Sequence, residues 1–169
     1  MELTESLIEK VCLEVNNKTE IEFDSKSISF KAPYERISII EAIKKFTNYD
    51  ISNMNESELR LICNEMSIEV DDSMGEGKLI DAIFGNKCEK NFINPTFITD
   101  YPKSMSPLTK EHRSNPKLTE RFELIVNGME IANAYSELND PIDQLKRFEN
   151  QLELSKKGDD EAMFIDMDF

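Results

Sequence analysis

Apolar residues recur at helical spacing from the start of the chain. Leu3, Leu7, Ile8, Val11 and Val15 follow a 3.6-residue repeat, which predicts a helix over residues 2–17. The period then drops to two in TEIEF and SISF, with DSK between them, so a β-hairpin follows. Ser38 and Glu41 have capping-box spacing ahead of Ile39, Ile40, Ile43 and Phe46, predicting a second helix that ends near Asn48. Two shorter helices are expected over residues 55–66 and 78–84, around a turn formed by Gly75-Glu76-Gly77-Lys78.

Residues 94–101, NPTFITDY, read as a strand bounded by Pro95 and Pro102. The polar segment 103–118, which contains Ser106-Pro107, reads as a loop of the length that compact domains use for lids. Next comes ERFELIVNGMEIANAYSELNDP, two apolar strands meeting at Asn127-Gly128. Asp140 and Pro141 then supply an N-cap and first helical position for a helix with Ile142, Leu145, Phe148 and Leu152 on one face, stopped by Gly158. With no internal repeat, the pattern predicts an α+β fold built on an antiparallel sheet.

Composition narrows the function classes. The 169 residues suit one ordinary domain or part of one. No apolar run approaches the roughly 18 residues of a membrane span, and no basic-then-apolar leader opens the chain. A soluble protein without a visible address is expected. The formal charge of -14, from 34 acidic and 20 basic residues, repels phosphate backbones unless the bases cluster. The densest basic stretch, Lys110 to Arg113, is broken by Glu111 and reads as a solvated loop. It includes His112, the only histidine, which has no sequence partner marking it as a base. Cys12, Cys63 and Cys88 lack Cys-x-x-Cys spacing, so neither a zinc site nor a disulfide framework is suggested and a reducing compartment fits. The Gly75 to Lys78 turn lacks both the P-loop spacer and the Ser or Thr after its lysine.

The hairpin holds more polar residues than a plain amphipathic ribbon needs. A two-residue loop at Asn127-Gly128 predicts that Val126 opposes Met129, Ile125 opposes Glu130 and Glu123 opposes Ala132. Glu123 and Glu130 then share a face as diagonal neighbours, within the span of two carboxylates reaching a hard cation; solvated side chains on a polar face are the plainer explanation. Asn133, Tyr135 and Glu137 alternate along the second strand and could hold an amino acid, although an exposed polar edge has the same pattern. Parity sets them against Glu130. If Glu130 and Asn133 serve one site, a bulge near Ile131 and Ala132 must switch the face.

The run ERFEL, NG, EIANAYSELNDP and GDDEAMFID, with INPTFITDYPKSMSPLTKEHR, APYERISIIEAI and ELTESL upstream, resembles the catalytic domain of the lysyl-tRNA synthetase family. That family belongs to the class II aminoacyl-tRNA synthetases of the lysine, aspartate and asparagine subgroup. The likeness spans essentially the whole chain and is weakest across residues 48–76. It implies that residues 1–169 are part of the antiparallel catalytic domain with flanking helices, between the second and third signature motifs, without the anticodon-binding domain.

By the same resemblance, Glu123 and Glu130 hold Mg2+ on the phosphates of ATP, which is a substrate. Asn133 meets the carboxylate of the substrate lysine, Tyr135 packs on its stem and Glu137 meets its ε-ammonium. No side chain here is assigned a catalytic role of its own. The complete enzyme would make lysyl-adenylate and then lysyl-tRNA(Lys), as a cytoplasmic homodimer, with no direct tRNA contact from this segment and no membrane. The isolated chain is expected to be inactive, because the phosphate-clamping arginines belong to the flanking motifs. Alternatives are a lysyl-synthetase-like modifier of elongation factor P, which would keep Glu137, and a non-catalytic remnant that binds a partner. An aspartyl or asparaginyl enzyme fits less well, since an acidic substrate side chain needs a cation where Glu137 stands.

Overall fold

The computed structural model describes residues 1–156. The helix stop expected at Gly158 and the GDDEAMFID segment lie outside the described residues. Helix α1, Glu2–Asn16, ends on Asn17, whose left-handed backbone (φ 57°) lets its N–H reach Leu13 O. Its apolar stripe is not its buried face: Leu3 is 81% exposed and Val15 72%, whereas Glu5 and Cys12 are buried. Glu5 faces inward because its carboxylate accepts from Tyr34 N–H at 3.0 Å and from Arg36 at 2.9 Å. The helix is therefore docked through this buried carboxylate and through Ile8, which packs against a core that includes Tyr34 and Phe97, rather than through its leucines.

Strands β1, Glu20–Phe23, and β2, Lys26–Ser29, form the expected hairpin, with Asp24 and Ser25 both at positive φ in the turn. Strand β3, Glu35–Ser38, runs into helix α2, Ile39–Thr47, through the Ser38–Glu41 capping box. Helix α3, Glu56–Glu65, opens on a second capping box, Asn55 with Glu58. Helix α4, Glu76–Lys87, is longer than its apolar spacing suggested. The expected Gly75 to Lys78 turn is instead an N-cap followed by the first helical turn. Gly77 sits there because a Cβ would stand 2.6 Å from Ser104 O, so only glycine lets the two backbones touch.

Four strands form the main sheet in the order β3-β4-β7-β8, where β4 is Thr96–Thr99, β7 Arg121–Val126 and β8 Met129–Tyr135. The β4-β7 and β7-β8 pairs are antiparallel, as expected, but β3 and β4 are parallel. The long helical crossover through α2, α3 and α4 makes that possible, since parallel neighbours cannot be joined by a tight turn. One sheet face contributes Ile98 and Ile125 to a core shared with Ile39, Ile43, Leu79 and Ile83 of the helices. The other contributes Phe97, Leu124 and Val126 to a second core with Ile28 and Tyr34.

The segment 103–118 is not the open lid expected of it. A 3-10 turn at Lys103–Met105 leads to a small antiparallel pair, β5, Glu111–His112, and β6, Asn115–Thr119. Buried Arg147 of helix α5, Pro141–Lys156, donates to Thr109 O at 2.6 Å and Ser106 O at 3.3 Å. Asp140 caps α5 by accepting from Ile142 N–H and Asp143 N–H. Ile142 is nevertheless 68% exposed, so that arginine, more than the apolar stripe, ties the start of α5 to the body. No helix among the described residues is long and apolar enough to cross a membrane.

Candidate functional site

The β7-β8 hairpin turns at Asn127 (φ 50°) and Gly128 (φ 69°), both left-handed, as a tight two-residue connection between twisted strands requires. Their N–H groups donate to Ile93 O and Phe92 O at 3.0 Å each, which fixes the turn on the body. Beyond the turn Val126 pairs with Met129 and Ile125 with Glu130, as the loop length predicts. The register then slips: Leu124 pairs with Ala132 and Glu123 with Asn133. The expected Glu123–Ala132 pairing is thus corrected by a bulge in which Ile131 is the extra residue.

That bulge resolves the parity conflict. Glu123 and Ile125 are two apart and share a face; Glu130 opposes Ile125, and Asn133 opposes Glu123. Backbone register therefore places Glu123, Glu130, Asn133 and Tyr135 on one face, the same face that α2, α3 and α4 cover further along. Glu137 continues the alternation just past β8, where it bridges Thr109. Lys110 N–H donates to Ser136 O and Leu138 N–H to Leu108 O, so the 108–110 segment holds this end of the hairpin.

Glu123 is the most heavily partnered of the five. The hydroxyl of buried Tyr101 donates to its Oε2 at 2.7 Å, Arg121 Nη2 donates to its Oε1, and Asn133 Nδ2 lies 3.4 Å from the same oxygen. Burial pushes its carboxyl above the ordinary range, opposed by the Tyr101 hydrogen bond and the Arg121 charge and reinforced by the negative charges of Glu130 and Asp81. Glu130 and Asn133 are exposed, as are Tyr135 and Glu137.

Two clefts flank this end of the sheet. One of about 540 Å³ is lined by Glu123, Arg121, Asp81, Lys78 and Ser104 among others, and one of about 500 Å³ by Tyr135, Arg121, His112 and Asp100 among others. Arg121 lines both. Sequence reasoning missed Arg121 and Tyr101. The signal for Arg121 was its position two residues before Glu123, which puts the guanidinium on the carboxylate's own strand face.

Two carboxylates are a sparse metal site. Among the described residues no group of three or more His, Cys, Asp or Glu could hold a metal ion. Mg2+, however, keeps waters and takes one or two carboxylates when a nucleotide's phosphates supply further oxygens. The hard oxygen pair Glu123 and Glu130 fits that use, and does not fit a metal held by protein alone.

The whole chain, residues 1–169, matches the class II tRNA synthetases (D, K and N), and the chain belongs to that family. Over all 169 residues it is 64% identical to a lysine–tRNA ligase of Porphyromonas gingivalis and 64% identical to one of Christiangramia forsetii. It is 61% identical to the lysine–tRNA ligase of Azobacteroides pseudotrichonymphae. The chain spans 29%, 30% and 34% of those relatives respectively, so it corresponds to about a third of their length.

Proposed function

We propose that this chain is part of the catalytic domain of a lysine–tRNA ligase and carries the cation and lysine side of its site. The observation that carries this reading is the bulge at Ile131. It costs the β7-β8 ladder regular pairing, and its effect is to bring Glu130 onto the same face as Asn133 and Tyr135. The 61–64% identity to lysine–tRNA ligases supports the same substrate.

In this reading Asn133 donates its amide to the carboxylate of lysine, Tyr135 lies along the aliphatic stem, and Glu137 accepts from the ε-ammonium. Glu123 and Glu130 hold Mg2+, which when bound offsets the charge of the ATP phosphates during adenylate formation. Glu137 decides for lysine over an acidic substrate, because an anion there would meet a like charge. The complete enzyme transfers the lysyl group to tRNA(Lys), acts as a homodimer and works in the cytoplasm. Three free, buried cysteines agree with a reducing compartment.

Glu137→Gln tests the reading in a chain extended to the length of its relatives. The change keeps size and hydrogen bonding but leaves a desolvated ammonium without its counter-charge, at a cost of roughly 2 kcal/mol or more. Lysine-dependent ATP–pyrophosphate exchange should then lose about 30-fold or more in kcat/KM for lysine, with KM for ATP nearly unchanged. A loss below about threefold removes Glu137 from the site.

A further inference from the structure

Arg121 makes more contacts than a counter-ion for Glu123 requires. Its Nη2 donates to Glu123 Oε1, and its Nε lies 3.4 Å from Asn133 Oδ1. Its Nη1 donates to Ser106 Oγ at 2.9 Å and to Met105 O at 3.3 Å. The guanidinium also stacks over the buried Tyr101 ring, 4.6 Å from its centroid. One planar group thus faces the carboxylate assigned to the cation, the amide assigned to the amino acid, and the turn that α4 touches through Gly77.

Geometry gives this arrangement a consequence. A guanidinium is a rigid fork, so anchoring Nη1 on the 105–106 turn and the plane on Tyr101 fixes the directions of Nε and Nη2. Asn133 is an exposed amide whose oxygen and nitrogen could exchange places. Here a cation draws Oδ1 and a carboxylate draws Nδ2, and both favour the same orientation. The NH2 group has two hydrogens, and only one is directed at Glu123. The second is left to donate to an incoming carboxylate.

We propose that Arg121 is a positioning residue that couples the two halves of this site, steadying Glu123 for the cation and turning the Asn133 amide so that its NH2 group faces the amino-acid carboxylate. The inference rests on the roles given to Glu123 and Asn133 above. A lysine in its place keeps the charge but, as a single mobile ammonium, cannot hold these four acceptors in fixed directions.

Arg121→Lys in a chain extended to the length of its relatives is therefore the discriminating variant. Lysine binding is read by titration calorimetry without nucleotide, Mn2+ binding by paramagnetic resonance with ATP present, and folding by thermal melting. Arg121→Lys should weaken lysine binding about tenfold, the scale of a lost hydrogen-bond orientation. Mn2+ affinity should fall about threefold or more in the same protein. In an Asn133→Ala background the further loss of lysine affinity should vanish, because the amide that Arg121 orients is gone. A merely structural role predicts equal losses in both backgrounds, and that result overturns the proposal.

Ser106→Ala gives a second route, since it frees the guanidinium without removing it; it should weaken both ligands in the same direction by a smaller factor. If Arg121→Lys melts early, this variant decides, and unchanged binding of both ligands overturns the proposal. Asn133→Ala and Glu123→Gln alone serve as controls. If they leave lysine and Mn2+ binding intact, the site reading itself fails and this inference falls with it. If they weaken binding while Arg121→Lys does not, only the role of Arg121 is lost.

Discussion

The buried hydroxyl of Tyr101 donates to Glu123 Oε2 at 2.7 Å, while Arg121 occupies the other oxygen of the same carboxylate. Tyr101 is 2% exposed, so its hydroxyl depends on this acceptor for a partner. The hydrogen bond also favours the charged form of Glu123, against the effect of burial. Tyr101→Phe should therefore destabilise the chain by about 1.5 to 3 kcal/mol near neutral pH, the usual scale of a hydrogen bond to a charged group. It should also move the Glu123 titration to still higher pH, which carbon-13 NMR of labelled glutamates can follow. An unchanged Glu123 titration would show that the hydroxyl does not hold the carboxylate.

The Asp143–Arg147 pair on α5 carries a pH signature of the opposite sign. The hydrogen bond from Arg147 holds the Asp143 carboxyl below its ordinary range, at a distance of 2.6 Å. A carboxylate with a lowered pKa contributes stability above its unfolded value and loses it as pH falls through the folded value. Asp143→Asn should thus cost about 1 to 2 kcal/mol at pH 7, between the values for exposed and buried pairs. That difference should shrink as pH falls below the ordinary carboxylate range. Denaturant melts of both proteins across the acid range check it, and a pH-independent difference would rule out the ion pair as its source.

Local devices were legible in the sequence because a few adjacent residues decide them. The Ser38–Glu41 capping box, the Asn127-Gly128 turn and the Asp140-Pro141 helix start each need only their own segment. Even the bulge left a trace, in the mismatch of parity between Glu130 and Asn133. What escaped was set at long range. Gly77 reads as a turn residue, and only the Ser104 backbone across the fold explains its place inside α4. The 103–118 segment has no apolar alternation, since it is held by Arg147, by Thr119 on Tyr101 O and by the strand-like contact at Glu137. The exposed stripe of α1 likewise follows from the buried Glu5, not from the spacing of its leucines.

The two helical glycines of α4 should respond oppositely to alanine. At Gly77 a Cβ would lie 2.6 Å from Ser104 O and 2.8 Å from Ser104 C, which are backbone atoms that cannot swing away. Overpacking of this kind costs roughly 1 to 3 kcal/mol, more than the ~1 kcal/mol that alanine gains in a helix. Gly85 meets nothing within 4 Å, so only the propensity gain operates. Gly77→Ala should lower stability by about 1 kcal/mol or more and Gly85→Ala should raise it by about 0.5 to 1 kcal/mol. Equilibrium denaturation of both variants gives the comparison, and equal signs would refute the close approach of α4 to the 103–105 turn.

Deleting Ile131 isolates the bulge from every side chain of the site. Ile131 is 47% exposed and is the residue that β8 carries in excess of β7. Without it Glu130 and Asn133 stand two positions apart, Ala132 still opposes Leu124 and Asn133 still opposes Glu123, so the alternation runs unbroken from Met129 and no residue changes face. Asn133, Tyr135 and Glu137 would then stay on the face of Glu123 and Glu130, now in a regular ladder, and all five remain in the chain. Because Ile131 fills no core, the deletion should cost modest stability. In a chain extended to the length of its relatives, lysine binding and ATP-dependent Mn2+ binding should therefore both be retained within a few-fold, because the shared face survives the deletion. Substitution of Ile131 by threonine, which keeps the residue count, should leave both intact. Loss of lysine binding in both variants would assign the effect to the isoleucine side chain, and loss in the deletion alone would show that a shared face is not sufficient to bind lysine.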